Sequence, residues 1–313
     1  MSKISLKHSG GNVVSLNSPN SAPAAADVAF KLPNQDGNAD EYLKTDGSGN
    51  LSFGAISIPS AAGKAKNLVD NGAMLVNQRG VASATGSGYK TVDRMRQYYN
   101  NMSADVTMSH QDVVAGTTPY TEGFRKSVRL TNGNQGSAQA AYEVKFQHKI
   151  EAQNIAGSGW NYVSASSNIT LQFWVKSSVA QNFYFHLQTS DGTAQAYVME
   201  TGSLSADTWT KITKTIPGNS NLQFDRNNGE GLRIEFAAFY GTNFTGTRPL
   251  NAWAAYDSAT RNPANTVTWV ETNGATLEFT GLQLEVGDSA TSFEHLTFGA
   301  VSYTHLTLPT KVT

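Results

Sequence analysis

The sequence predicts an all-β protein: an antiparallel jelly-roll β-sandwich preceded by a small, extended, turn-rich β segment. Across residues 67–298, short runs of alternating apolar and polar residues recur, separated by Gly, Asn, Asp and Ser. No helical pattern long enough to link parallel strands lies between them, which favours two packed antiparallel sheets. The alternation has period 2, so one face of each sheet is core and the other meets water or a partner.

Residues 1–54 are rich in turn formers, among them Gly10-Gly11-Asn12, Pro33-Asn34 and Asp46-Gly47-Ser48-Gly49-Asn50. Very short strands are expected at 12–16, 27–32, 42–45 and 51–53, too few to bury a core alone. Such a segment is disordered or pairs with identical copies in an oligomer. Residues 55–66 read as a linker and 67–300 as the sandwich domain. In the latter, Ile169, Leu171, Phe173 and Val175 alternate with Thr170, Gln172, Trp174 and Lys176. Phe183, Phe185 and Leu187 alternate with Tyr184, His186 and Gln188, and Leu232, Ile234 and Phe236 with Arg233, Glu235 and Ala237. Further strands are expected near 106–110, 125–131, 141–150, 194–200, 208–216, 266–270 and 275–285, with one helical turn at 151–156.

Charged residues make up 15% of the 313, with 23 basic and 24 acidic side chains for a formal charge of −1. Ordinary domains carry roughly 25% charged residues. Near-neutrality without runs of basic residues supplies no field for nucleic acid or anionic membrane, and no apolar stretch of membrane-spanning length occurs. No cysteine is present, which removes disulfides, thiolate zinc sites and thiol catalysis. The start lacks the apolar stretch of a secretory signal, so synthesis and assembly in a cytoplasm are expected. Low charge with abundant Asn, Ser, Thr and Gly suits hydrogen bonding to neutral sugars. Residues 301–313 stand apart: Val301-Ser-Tyr-Thr-His-Leu-Thr-Leu-Pro-Thr310 resembles the in-frame translation of a transposon-end sequencing adapter. The natural C-terminus is therefore expected to be missing from this sequence.

Three passages carry a family resemblance. The first is Leu6-Lys-His-Ser-Gly-Gly-Asn-Val-Val-Ser-Leu16 with Leu43-Lys-Thr-Asp-Gly-Ser-Gly-Asn-Leu-Ser-Phe53; the second is Asn67-Leu-Val-Asp-Asn-Gly-Ala-Met-Leu-Val-Asn-Gln-Arg-Gly80. The third joins residues 169–176 to Gly281-Leu-Gln-Leu-Glu-Val-Gly-Asp288 and runs on to His295. Together they resemble tail fibre proteins of tailed bacteriophages, particularly marine viruses, and the third is also similar to jelly-roll carbohydrate-binding modules. The resemblance implies a homotrimeric virion protein tied to phage tail or baseplate proteins, presenting its jelly roll to host-surface glycan. It also implies a structural calcium between the terminal strands, near Asn67, Asp70 and Asp288, although Ala73-Met74 departs from the usual opening.

No HExxH, nucleophile elbow, P-loop or Rossmann fingerprint occurs, and no catalytic residue is assigned. Carboxylate pairs such as Glu230 with Glu235, or Glu278 with Glu285, could serve a glycosidase; the plainer reading is a solvated surface. A sugar site needs aromatic plates beside hydrogen-bonding groups. Gln172, Trp174, Tyr184, His186, Gln188, Arg233 and Glu235 have that composition and would share one surface if their strands belong to one sheet. Alternatively, Trp174 and Tyr184 pack under a loop or against a neighbouring subunit. Trp209 reads as core, while Trp253 and Trp269 either line a loop-end site or staple the loop at 254–266. The function expected is a non-enzymatic, glycan-recognising tail fibre protein. Alternatives are a tailspike-like polysaccharide depolymerase and a fibre segment without ligand.

Overall fold

The computed structural model describes residues 3–7, 10–11, 13–17, 31–34, 41–46, 48, 50–55, 67–299 and 301. The chain divides into two compact units, residues 1–60 and 61–313. In the first, β1 (Lys3–Lys7) and β2 (Val13–Asn17) form one antiparallel hairpin, and β3 (Glu41–Thr45) and β4 (Leu51–Ala55) form another. The second turn is organised by Asp46, whose carboxylate accepts the N–H groups of Ser48 at 2.8 Å and Asn50 at 3.1 Å, the local bonding that makes Asp a turn residue. The sequence reading omits β1. The strand expected at 27–32 lies mostly outside the described residues, as do most of the linker and all of the adapter-like stretch after Val301.

The second unit contains, in chain order, β5 (Ser83–Thr85), β6 (Met95–Asn100), β7 (Thr107–Asp112), the turn α1 (Thr118–Thr121), β8 (Lys126–Thr131), β9 (Glu143–Glu151) and the turn α2 (Ala152–Ala156). Then come β10 (Asn168–Ser177), β11 (Asn182–Thr189), β12 (Gln195–Ser203), β13 (Thr210–Pro217), β14 (Glu230–Tyr240), β15 (Trp253–Ala255), the turn α3 (Thr268–Glu271) and β16 (Thr276–Val286). They form two six-stranded antiparallel sheets, ordered β13-β10-β16-β8-β7-β5 and β15-β12-β11-β14-β9-β6. This is the expected sandwich. One expected strand is a helical turn instead: Trp269 and Val270 are consecutive and both buried, which a helical turn allows and a strand of alternating faces does not.

Between the sheets, five phenylalanines form the centre. Phe173 and Phe279 from the first sheet meet Phe146, Phe185 and Phe236 from the second, with ring centroids 4.7 Å apart for Phe236–Phe279, 4.8 Å for Phe173–Phe236 and 5.0 Å for Phe173–Phe185. Offset and edge-on pairs of this kind add to the burial of apolar area.

The outer face of the first sheet is covered by its own chain. Gly281 interrupts β16 with φ +65°, and the register with β10 shifts between Gln172 and Trp174, a bulge that needs a residue tolerant of the left-handed region. A Cβ there would meet Phe124 at 2.7 Å and Trp174 at 3.2 Å. Beyond the bulge, Gln283 accepts the Glu294 N–H at 2.8 Å and Glu285 accepts both the N–H and the hydroxyl of Thr291 at 2.8 and 2.6 Å. The Gln-Leu-Glu segment thus straps the following residues across the sheet.

Candidate functional site

The seven residues expected on one surface are divided between two. Gln172 and Trp174 lie on β10 in the first sheet; Tyr184, His186 and Gln188 on β11 and Arg233 and Glu235 on β14 lie in the second. The shared-surface expectation fails because β10 and β11, successive in sequence and alike in pattern, belong to opposite sheets. The strap covers the first pair. Gln172 donates to the Thr291 carbonyl at 2.7 Å, and Trp174, 6% exposed, packs with Phe124, Val113 and Ala73 while its indole N–H donates to Glu122 at 3.3 Å. Trp209 is not in the central core as expected; it packs, partly exposed, against this outer cluster. Trp253 donates to the Pro217 carbonyl at 2.7 Å and meets Tyr197, and Trp269 is fully buried, so both staple their loop.

The other five do share a face. Register places Arg96, Gln147, Glu235 and His186 in one row across β6, β9, β14 and β11. A second row runs Tyr98, Lys145, Ala237, Tyr184 and Glu200, and a third Lys149, Arg233, Gln188 and Ala196. Glu235 is the hub: Tyr240 Oη donates to one carboxylate oxygen and Gln147 Nε2 to the other, and Lys145 Nζ and Arg233 Nη1 each stand 3.6 Å away. Glu143 accepts Lys145 at 2.6 Å and an N–H of Arg261, and Glu230 accepts Lys149 at 2.5 Å and Arg233 at 2.6 Å. The excursion after β14 leans on this floor. Arg261 lies 5.1 Å from the Tyr240 ring centroid, and Arg248 donates to the Ala254 and Ala255 carbonyls at 3.1 and 2.7 Å.

Burial pushes the Glu235 carboxyl up, but His186, Lys145, Tyr240 and Arg233 outweigh it and hold it at about 2. Burial drives His186 the other way, down to about 4, against the attraction of Glu235 and with help from Lys145 and Arg233. At neutral pH His186 is therefore uncharged, and the three other groups hold the carboxylate ionised. His186 Nε2 approaches Glu235 Oε1 to 3.5 Å, yet neither ring nitrogen makes a hydrogen bond, and Gln188 Oε1 and Arg248 Nε are likewise buried without one. Buried polar atoms are normally partnered, so these four stand out as unpaired groups beneath the face. Burial pushes the Tyr256 hydroxyl up, with Arg261, Glu235 and Arg233 also acting on it, so Tyr256 joins Tyr98, Tyr184 and buried Tyr240 near this floor.

A pH dependence follows. The unfolded chain binds a proton at His186 near its ordinary value of 6.5, whereas the folded chain resists until about 4. Its contribution is complete above 6.5 and is lost as pH falls toward 4. Urea midpoints should therefore fall between pH 7.5 and 4.5, with a shallower fall in His186→Asn; a small slope persists through His110, also lowered by burial. Equal slopes for the two proteins would refute the assignment.

Two of the three residues named for calcium are engaged elsewhere. Asn67 Oδ1 accepts the N–H groups of Val69 and Leu284, each at 3.0 Å, and Asp70 pairs with Arg94 at 3.0 Å. A calcium takes six to eight oxygens, and among the described residues no three His, Asp or Glu side chains converge as metal ligands.

Neither a protein-family model nor a curated protein matches the chain. Among solved structures, the enzymatically active domain of tailspike protein 4 from bacteriophage CBA120 is similar at 11% identity over 71% of this chain, with a TM-score of 0.36; the match spans 22% of that chain. A family 11 carbohydrate-binding module from Clostridium thermocellum, in complex with a β-1,3-1,4-linked tetrasaccharide, matches 69% of this chain and 99% of its own at 11% identity and TM-score 0.29. The N-terminal cellulose-binding domain of Cellulomonas fimi β-1,4-glucanase C matches 62% and 90% at 10% identity and TM-score 0.31. The fold assignment stands on this chain's own strand order and register.

Sequence reading misses Arg96, Tyr98, Lys145, Gln147, Tyr240 and Arg261 as parts of the face. Lys145, Gln147 and Lys149 alternate visibly within the strand expected at 141–150; the others had no signal, since their meeting depends on sheet order and on a loop.

Proposed function

We propose that this chain is a non-enzymatic component of a phage tail fibre whose jelly roll binds host-surface glycan through the outer face of the second sheet. The observation that carries the reading is the make-up of that face. Partly exposed Tyr98, Tyr184 and Tyr256 stand over polar groups that already hold one another in place. Sugars offer C–H surfaces to aromatic rings and hydroxyls to fixed donors and acceptors, and groups fixed in advance lose little freedom on binding. The fibre assignment is supported by the N-terminal passages, and two five-residue-strand hairpins are too small to be stable alone, which favours a homotrimer.

The non-enzymatic reading is supported by the carboxylates. A glycosidase requires one carboxyl kept protonated near neutrality. Glu235 is instead held ionised, Glu230 is lowered because Arg233 and Lys149 outweigh its burial, Glu278 accepts Arg129 and Lys176 at 2.7 and 3.0 Å, and Glu285 is spent on Thr291.

On a glycan array the full chain should bind a restricted set of polysaccharides, and Tyr184→Ala should weaken that binding at least tenfold without changing the melting temperature. Silence across the array would leave a ligand-free fibre segment, and release of reducing ends from host polysaccharide would favour the depolymerase. Light scattering after size exclusion should give a trimer; a stable monomer would count against the fibre assignment.

A further inference from the structure

The charges on this face are unevenly exposed. Its three central carboxylates lie low: Glu143, Glu235 and Glu230 have side chains 4%, 1% and 17% exposed. Lys145 and Arg261, at 10% and 11%, lie at the same depth, but two cations stand higher, Lys149 at 35% and Arg233 at 20%. The pairing also leaves a remainder. Glu143 is taken by Lys145 and Arg261, Glu230 by Lys149 and Arg233, and Glu235 by Tyr240 and Gln147. Arg96, in the same row as Glu235, forms no ion pair among the described residues. It gives one N–H to Gln147 Oε1 at 2.6 Å, and its guanidinium carbon sits 5.2 Å from the Tyr98 ring centroid.

The geometry points to an acidic ligand: we propose that the β6–β9–β14 part of this face binds a carboxylate-bearing sugar of a host polysaccharide, with Arg96 as its anchoring cation. This rests on the glycan-binding reading above. A guanidinium carries five N–H donors in a planar fork that matches a carboxylate. Arg96 has spent one of them, and Gln147 and Tyr98 hold it in place. Lys149 and Arg233 stand in the next row, one and two strands further in, so a sugar carboxylate at Arg96 meets a field that is net positive on its open side. Glu200 and Asp257 do not offset this, because Glu200 lies on β12, beyond β11, where Asn182 donates to it at 2.9 Å, and exposed Asp257 caps its own turn at Ala259 and Thr260. Near-neutrality of the whole chain hides this local excess.

The experiment measures binding of the full chain to polygalacturonate, alginate and polysialic acid, each compared with its methyl ester, which keeps the backbone and removes the charge. At least one acid form should bind ten times tighter than its ester, weaken as NaCl rises from 50 to 300 mM, and lose tenfold or more in Arg96→Gln. Arg96→Lys, which keeps the charge but not the fork, should recover only part of the loss, and melting temperatures of both variants should match the parent. Equal binding of acid and ester, or binding of neutral glycans alone, overturns the acidic preference while leaving the glycan-binding function intact. Binding that tracks dextran sulfate and ignores Arg96 is general ion exchange and also overturns it. Failure to bind any glycan removes both readings.

Discussion

Phe236→Ala should lower the stability of the sandwich by about 3–5 kcal/mol. Phe236 is 4% exposed and touches the rings of Phe146, Phe173, Phe185 and Phe279. Its neighbours come from both sheets, so the cavity left by truncation is walled by strands that cannot close on it without breaking register. A domain of this size should melt roughly 10 °C lower, at 2–4 °C per kcal/mol. Phe236→Leu, which refills most of the volume, should lose less than half as much. Thermal unfolding by circular dichroism checks both, and a shift of under about 2 °C for the alanine variant, well below that range, would show that the phenylalanine cluster is not the stabilising centre.

That cluster was legible in advance. Phe173, Phe185 and Phe236 each sit on the apolar side of a clear period-2 run, and such runs fix which face is buried whatever the strand order. Met95–Asn100 escaped notice because its inward position Gln97 is polar: it is 1% exposed and donates to the Gly86 carbonyl at 2.7 Å, so the alternation is broken where the chain needs a hydrogen bond rather than apolar bulk. Ser83–Thr85 and Trp253–Ala255 are three residues each, too short to carry a period.

The site was less legible, because it depends on neighbours rather than on pattern. Tyr184, His186, Gln188, Arg233 and Glu235 face the same way because β11 pairs with β14, whereas Trp174 repeats the same local pattern on a strand of the other sheet. Nothing in the alternation distinguishes them. The cations tell the same story. Arg96, Lys149 and Arg233 are far apart in sequence and form no basic run, yet sheet order sets them in adjacent strands. The Gln283 and Glu285 positions, in contrast, were visible through the Gln-Leu-Glu resemblance, and the structure supplies their physical role as anchors for the strap.

Glu235→Leu should be as damaging as the loss of Phe236, for an electrostatic reason. Removing a buried carboxylate leaves its partners without an acceptor, and breaking one side of a buried charged network costs about 3–5 kcal/mol. Tyr240 Oη and Gln147 Nε2 would lose their acceptor outright, while Lys145 and Arg233 would each retain a second carboxylate, Glu143 and Glu230. The penalty therefore concentrates on the two neutral donors. Tyr240→Phe removes one of them, so Glu235→Leu in a Tyr240→Phe background should cost at least about 1 kcal/mol less than in the parent, the coupling expected between groups in one network. Acid should narrow the difference. The folded-state carboxyl is held at about 2 and the ordinary value is 4.5, so the stabilisation supplied by its charge is complete above 4.5 and lost as pH falls toward 2. Urea denaturation of the four proteins at pH 7 and pH 3 provides the measurement. A Glu235→Leu variant within about 1 kcal/mol of the parent at pH 7, where buried-pair disruption predicts several times that, would mean that Tyr240 and Gln147 find other acceptors and that Glu235 does not organise the face.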